Sequence, residues 1–451
     1  MASASTQSED FAFPPGFLWG SATSSHQVEG ENTANTWWRW EQNPAHILDG
    51  SSSGVASAWI HGRWRDDLDH AAAGGQNAHR CSFEWSRLQP APGSWDEEAV
   101  QFYRMMLEGM HERGLHPFVT LHHYTDPIWF ADRGGWRAPD AVKRFSEYVS
   151  GVVERFGDLC SDWCTLNEPN AYVLQGHVGG NYPPGEKSLR SAFRVAARLA
   201  EAHGAAYHAI HERQSVARVG IVILHYDLMP AHPQRRWNIR LVEVLSHLVN
   251  DFFPDAAVYG RMPSLFGRSR RDLPQDTLDF FGLNYYTGVH IGWSLRHIRR
   301  LGLYYFYPPD AARSATGLVA LHPDGFTRAM RWAAGYGRPI IITENGVDDS
   351  EDALRPRFLV EHVARVWAAL QEGIDVRGYF HWSIVDNYEW DKGWSHRFGL
   401  WELNRQTQVR TPRGSAIAYA DICRNNALSQ ALLRRHSPSR HPQGTGTKRL
   451  R

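Results

Sequence analysis

The chain has 451 residues, room for two or three ordinary domains or for one large α/β barrel, and enough to bury a substantial core. Its 48 basic and 48 acidic residues cancel, which argues against broad attraction to nucleic acid or to an anionic membrane. No run approaches eighteen apolar residues, and the polar, acidic first ten residues do not read as a secretory signal, so a soluble cytoplasmic protein is expected.

Eight strand-like runs are predicted in chain order, at 17–25, 77–85, 116–125, 163–169, 219–228, 278–287, 339–346 and 376–386. Apolar residues at i, i+3 and i+4 predict helices between them, over 97–113, 140–156, 189–213, 324–336 and 355–372. Gly114, Gly157, Gly337 and Gly373 stand where helix C-caps belong. Eight alternating units with continuously apolar strands imply a parallel sheet covered on its outer face, and hence a single (β/α)₈ TIM barrel with long βα loops. A doubly wound open sheet is the alternative, but no GxGxxG follows the first strand. The barrel domain is expected over 13–427, between a flexible tail at 1–12 and a basic, disordered tail at 428–451. Six Lys or Arg and no acid fall in 434–451. The stretch 288–321, with Tyr304-Tyr305-Phe306-Tyr307-Pro308-Pro309, is expected to be a loop over the barrel mouth.

Cys81, Cys160, Cys164 and Cys423 are too few for a disulfide scaffold, and no second thiol pair completes a zinc site around the CxxxC of Cys160 and Cys164. They are expected to be reduced and packed as small hydrophobes. The aromatic content is high, with 19 Trp, 17 Tyr and 20 Phe. Aromatic faces suit the C–H faces of sugar rings, although a large core accounts for the same numbers.

Two strings carry chemistry: Thr165-Leu166-Asn167-Glu168-Pro169 and Ile341-Ile342-Thr343-Glu344-Asn345-Gly346. Each is a hydrophobic run that stops at a glutamate beside an asparagine. A carboxylate at the end of a buried strand is costly without a purpose. In a barrel, the C-terminal strand ends build the active site. Glu168 closes the fourth strand and Glu344 the seventh, so both point to one site. Paired carboxyls of this kind cleave glycosidic bonds, one protonating the leaving oxygen and the other acting at the anomeric carbon. The reading is a retaining β-glycosidase.

Further motifs strengthen that reading. They are Phe17-Leu18-Trp19-Gly20-Ser21-Ala22-Thr23, Gln27-Val28-Glu29-Gly30, Glu84-Trp85-Ser86-Arg87, Thr120-Leu121-His122-His123, Asp279 through Tyr286, His381 through Trp390, and Arg397-Phe398-Gly399. In this order they make the chain resemble glycoside hydrolase family 1, the β-glucosidase family, from about Phe13 to Cys423. Ser24-Ser25-His26-Gln27 and Trp37-Trp38-Arg39-Trp40-Glu41 look most like its archaeal-type members of broad specificity.

The resemblance implies roles. Glu168 matches the acid/base and Glu344 the nucleophile. Arg80 matches the arginine that bonds the nucleophile, Tyr286 the tyrosine that orients it, and Asn284, two residues earlier on the same strand face, is expected near the acid/base. Asn167 matches the amide that bonds the sugar 2-hydroxyl. Gln27, His123, Glu389 and Trp390 match the remaining donors and acceptors, with Gln27 and Glu389 at the 4-hydroxyl. Trp382 is expected beneath the ring and Phe398 near C6. No metal or other cofactor is implied, since His122 and His123 face opposite ways on a strand and no HExxH is present. The implied substrate is a small β-glucoside or oligosaccharide, unphosphorylated because Glu389 would repel a phosphate. β-Galactosides and β-fucosides are expected secondary substrates, with transglycosylation beside hydrolysis. The alternative is a non-catalytic sugar-binding module on the same fold. Three departures stand out: Tyr124 where Trp usually follows the histidine, Cys81 for a common Phe, and Leu318-Val319-Ala320 where Trp-Glu-Ile often lines the leaving-group side.

Overall fold

The eight predicted strands close on one another. In the computed structural model, which describes residues 10–262, 273–300 and 302–437, they are β1 Leu18–Ala22, β2 Ala78–Ser82, β3 His116–Thr120, β4 Asp162–Asn167, β5 Arg218–Leu224, β6 Phe280–Tyr285, β7 Ile340–Asn345 and β8 Val376–Trp382. Each pairs in parallel with its chain neighbour, and β8 returns to β1, so the sheet has no edge. Eight helices follow the strands in turn: α1 Trp64–Ala73, α2 Glu97–Glu112, α3 Ala141–Phe156, α4 Leu189–Arg213, α5 Phe252–Tyr259, α6 Pro323–Ala334, α7 Arg355–Gln371 and α8 Gly414–Asn425.

Local signals explain the helices. Asp96 caps α2 by accepting from the amides of Glu98 and Ala99, and Ser188 caps α4 through Ser191. Gly114 and Gly373, just past α2 and α7, take φ of +68° and +83°, where a side chain is disfavoured. The barrel axis is filled by rings, with Phe118 5.4 Å from both Phe280 and Phe380. Gly20 and Gly220 make room for them, since a Cβ at Gly20 would come within 2.5 Å of Phe380 and one at Gly220 within 2.4 Å of Phe280. A second apolar layer lies between strands and helices, where Trp85, Phe145 and Tyr148 meet.

Three expectations are corrected. The fifth run does not continue to 228, because β5 ends at Leu224 and Asp227–Pro230 leaves the barrel to join another sheet. In that sheet Gly288–Trp293 lies between Asp227–Pro230 and Leu303–Phe306. The stretch expected as a loop over the mouth thus contains two strands, in keeping with the preference of tyrosine and phenylalanine for strands. The tail boundaries also move outward. Phe11–Ala12 pairs with Ala427–Leu428, and Gln430–His436 is a helix capped by Ser429 with Leu432 buried. An apolar face inside a basic segment is enough to hold it against α7. Residues 1–9 and 438–451, and what was expected of them, lie outside the described residues. Among the described residues no helix is long and apolar enough to cross a membrane.

Candidate active site

The C-terminal strand ends surround a cavity of about 250 Å³ lined by His123, Asn167, Glu168, Tyr286, Glu344, Trp382, Glu389, Trp390 and Phe398 among others. Nine of the twelve expected site residues therefore line one cavity. Arg80 and Asn284 stand behind it, where they hold the carboxyls. Gln27 also stands behind it: its Nε2 donates to Glu389 Oε2 at 3.1 Å and to the Tyr388 carbonyl at 2.8 Å.

Glu344 ends β7 and is 3% exposed. Arg80, from the middle of β2 and fully buried, donates through Nη1 to Glu344 Oε1 at 2.5 Å. Tyr286 donates to Oε2 at 2.7 Å. Arg80 is itself aimed from three sides, donating to Thr120 Oγ1 at 3.1 Å, to the Thr343 carbonyl at 3.3 Å and to Asn167 Oδ1 at 2.6 Å. Both oxygens of Glu344 thus receive a donor, one of them cationic.

Glu168 follows β4 directly, and its backbone takes φ +44°, ψ +56° as the chain turns into the short helix Pro169–Val173. Asn284 Nδ2 donates to its Oε1 at 2.7 Å, and the Tyr124 hydroxyl donates to its Oε2. The amide of Asn284 is oriented by Thr343, whose Oγ1 donates to Asn284 Oδ1 at 2.6 Å. Burial, reinforced by the negative charge of Glu344, pushes the Glu168 carboxyl up to about 8. Two glutamates on one wall therefore have opposite surroundings, one beside a cation and the other beside an anion. That contrast separates an acid from a nucleophile.

The remaining polar groups face the cavity. Arg80 takes Asn167 Oδ1, so the amide nitrogen of Asn167 is turned to His123 Nε2 at 3.0 Å. His123 must then accept at Nε2 and carry its hydrogen on Nδ1, which meets no partner among the described residues. Burial, with Arg80 nearby, holds this imidazole well below its usual range and keeps it neutral. Burial, and then the charges of Glu344, Asp391 and Asp348, push the Glu389 carboxyl up to about 8 as well. Trp382, Trp390 and Phe398 supply apolar faces; His123 lies 6.0 Å from both tryptophans, and Phe398 meets Tyr286 edge-on.

Sequence reasoning did not assign to the site several further lining residues, Tyr124, Ala171, Gln175, Tyr182, Leu224, His225, Tyr226 and Thr287. These positions follow strands β3 to β6, and that placement is the signal by which they were open to recognition. Leu318 and Val319, noted as a departure from the family pattern, do lie on the wall. Among the described residues no group of three or more His, Cys, Asp or Glu is arranged to hold a metal.

The whole chain, and not the site alone, has relatives. The family model for glycosyl hydrolase family 1 matches residues 9–428. Beta-glucosidase A of Thermotoga maritima is 32% identical over 446 residues, covering 92% of this chain and 98% of that protein. The beta-galactosidase of Sulfolobus acidocaldarius is 31% identical over 93% of this chain and 97% of its own length. Among solved structures, a beta-glycosidase from Pyrococcus horikoshii superposes with a TM-score of 0.87 at 37% identity, covering 95% of this chain and 98% of that one. The T. maritima beta-glucosidase in complex with glucoimidazole gives 0.86 at 30% identity, covering 93% and 100%. A closed eight-stranded barrel, two glutamates at the ends of its fourth and seventh strands, and likeness along almost the full length have one explanation: this chain belongs to glycosyl hydrolase family 1.

Proposed function

We propose that the protein is a retaining β-glucosidase that removes terminal non-reducing β-D-glucosyl residues from short oligosaccharides and from aryl and alkyl glucosides. β-Galactosides and β-fucosides are secondary substrates in this reading, as suits kinship with proteins named for both glucosides and galactosides. A non-catalytic sugar-binding role finds no support in a site that keeps both carboxyls. The four cysteines are unpaired and buried, which suits a reducing compartment, and we place the protein in the cytoplasm.

The observation that carries the reading is the unequal setting of Glu344 and Glu168 around one cavity. In the first step a Glu344 oxygen attacks C1, the C1–O bond to the leaving group breaks, and the leaving oxygen takes the proton of Glu168. In the second, water gives a proton to Glu168 and its oxygen to C1, and the bond to Glu344 breaks. A sugar or alcohol in place of that water gives transglycosylation. The second hydrogen on Asn167 Nδ2 is available to the 2-hydroxyl, a bond that strengthens as oxocarbenium character grows. His123 Nδ1–H and Glu389 hold the hydroxyls further round the ring, and Trp382 its apolar face. Proton NMR of the product from an aryl β-glucoside tests the reaction class. The β-anomer should appear first, and an α-anomer as first product would refute retention.

A further inference from the structure

Outside the catalytic pair, the strongest unexplained feature is Tyr124. It stands in the turn after β3, with φ +68°, a left-handed conformation that side-chain-bearing residues rarely adopt. Its ring is 4% exposed and wedged edge-on against Trp390 at 5.1 Å and Tyr182 at 5.7 Å. From there its hydroxyl reaches Glu168 Oε2. Both ends of this bond therefore sit on left-handed backbone, an arrangement that persists only where packing over-determines it.

The two donors to Glu168 differ in kind. Asn284 offers Oε1 an N–H whose direction is fixed, because its own oxygen is taken by Thr343. A proton on Oε1 facing that N–H would oppose it. A phenol hydroxyl is both donor and acceptor and turns freely about its C–O bond. Facing Oε2, Tyr124 can donate while Glu168 is ionised and accept once Glu168 is protonated, turning its own hydrogen into the cavity it lines. An indole, the usual group after this histidine in the family pattern, donates only.

We infer that Tyr124 is a positioning residue for the acid/base, a two-way hydrogen-bond partner that places the working proton on Glu168 Oε2 and serves both protonation states of the catalytic cycle. The inference rests on the proposed role of Glu168. The other titratable groups around that carboxyl are Glu344, which opposes its ionisation, Arg80, which favours it, and the neutral phenols of Tyr182, Tyr226 and Tyr286. None of these three phenols has a hydrogen bond to Glu168 among those described. Burial raises the Tyr124 phenol well above 10, so it keeps its hydrogen through the working pH range.

The test is Tyr124→Phe, which keeps the ring and its packing and removes the hydroxyl. The bond lost to the ionised form is stronger than the one lost to the protonated form, so the alkaline limb of the kcat/KM profile should move upward, by about one pH unit. Deglycosylation, which needs Glu168 as a base, should slow about tenfold on substrates with activated leaving groups. A double-mutant cycle with Glu168→Ala guards against a purely structural effect. With no carboxyl to position, adding Tyr124→Phe should leave the rate on activated glucosides within about twofold of Glu168→Ala alone. An unmoved alkaline limb, or an equal loss in both backgrounds, would overturn the inference. Circular dichroism of Tyr124→Phe alone and with Glu168→Ala establishes that each rate is measured on folded protein. The reading of Glu168 stands or falls separately, on whether Glu168→Ala alone spares good leaving groups and spoils poor ones.

Discussion

Arg80 and Glu344 form an ion pair across the barrel at 2.5 Å, with side-chain exposures of 0% and 4%. A pair so thoroughly removed from water is held by its geometry, and removing one partner strands the other. Arg80→Met should therefore cost about 3–5 kcal/mol of stability and lower kcat/KM about a hundredfold or more. Arg80→Lys keeps the charge but loses the fork that also grips Asn167, and should fall between wild type and Arg80→Met. Urea unfolding and steady-state kinetics on the three proteins check both statements.

The Glu168 carboxyl at about 8 sets a pH dependence with a definite sign. The acid must carry its proton to serve the leaving group, so kcat/KM should decline as pH rises through about 8. Stability follows the same group. Between the ordinary glutamate range and about 8 the unfolded chain gives up this proton while the folded chain keeps it, so stability falls as pH rises through that window. Glu168→Gln, which removes the titration, should raise Tm at neutral pH by ~2–4 °C while suppressing turnover of poor leaving groups. Calorimetry at pH 5 and pH 7 checks this, and the gain should shrink at the lower pH.

Glu389 is a polar anchor of the proposed sugar site. Each hydroxyl bond lost with it contributes about 0.5–1.5 kcal/mol, so losing two with Glu389→Ala should lower kcat/KM for glucosides roughly ten- to hundredfold. β-Fucosides lack the 6-hydroxyl and should lose less. Gln27 stands behind the wall and donates to Glu389, so Gln27→Ala should reproduce the pattern of Glu389→Ala more weakly. Matched glucoside, galactoside and fucoside kinetics on both variants distinguish this from a direct contact of Gln27 with the sugar.

Much of this was legible in the chain. The alternation of apolar runs and amphipathic helices predicts eight βα units, and eight close into a barrel. The strings Asn167-Glu168 and Glu344-Asn345 point to strand ends because a buried strand that stops at a carboxylate signals a site. What escaped depends on contacts distant in sequence. Tyr124 reads only as a departure from a family pattern, and nothing local tells that a left-handed turn aims its hydroxyl at a residue 44 positions away. Gln27 has the right chemistry for a sugar, but the short helix Ser25–Val28 carries it behind Glu389. The basic tail hid Leu432, whose burial beside a half-buried Leu433 extends the fold to residue 436, because charge dominated its composition.

Replacing Glu168 by Ala should weigh hardest on poor leaving groups, the only ones that need protonation. Activated aryl glucosides should still glycosylate the enzyme, and the intermediate should then turn over slowly. Added azide, which needs no base, should restore turnover and give a β-glycosyl azide. Stopped-flow burst kinetics with azide titration checks this, and equal losses for good and poor leaving groups in the first step would remove Glu168 from its role.

The central claim is that Glu344 bonds covalently to the sugar. Inactivating the enzyme with a 2-deoxy-2-fluoro-β-glucoside bearing an activated leaving group, then digesting it and sequencing peptides by mass spectrometry, tests this directly. The fluorine slows breakdown of the glycosyl-enzyme by destabilising its oxocarbenium-like transition state. The account predicts one fluoroglucosyl group per chain, attached to Glu344 in the peptide containing Thr343-Glu344-Asn345. A label on any other residue, or steady turnover with no covalent adduct, would contradict it.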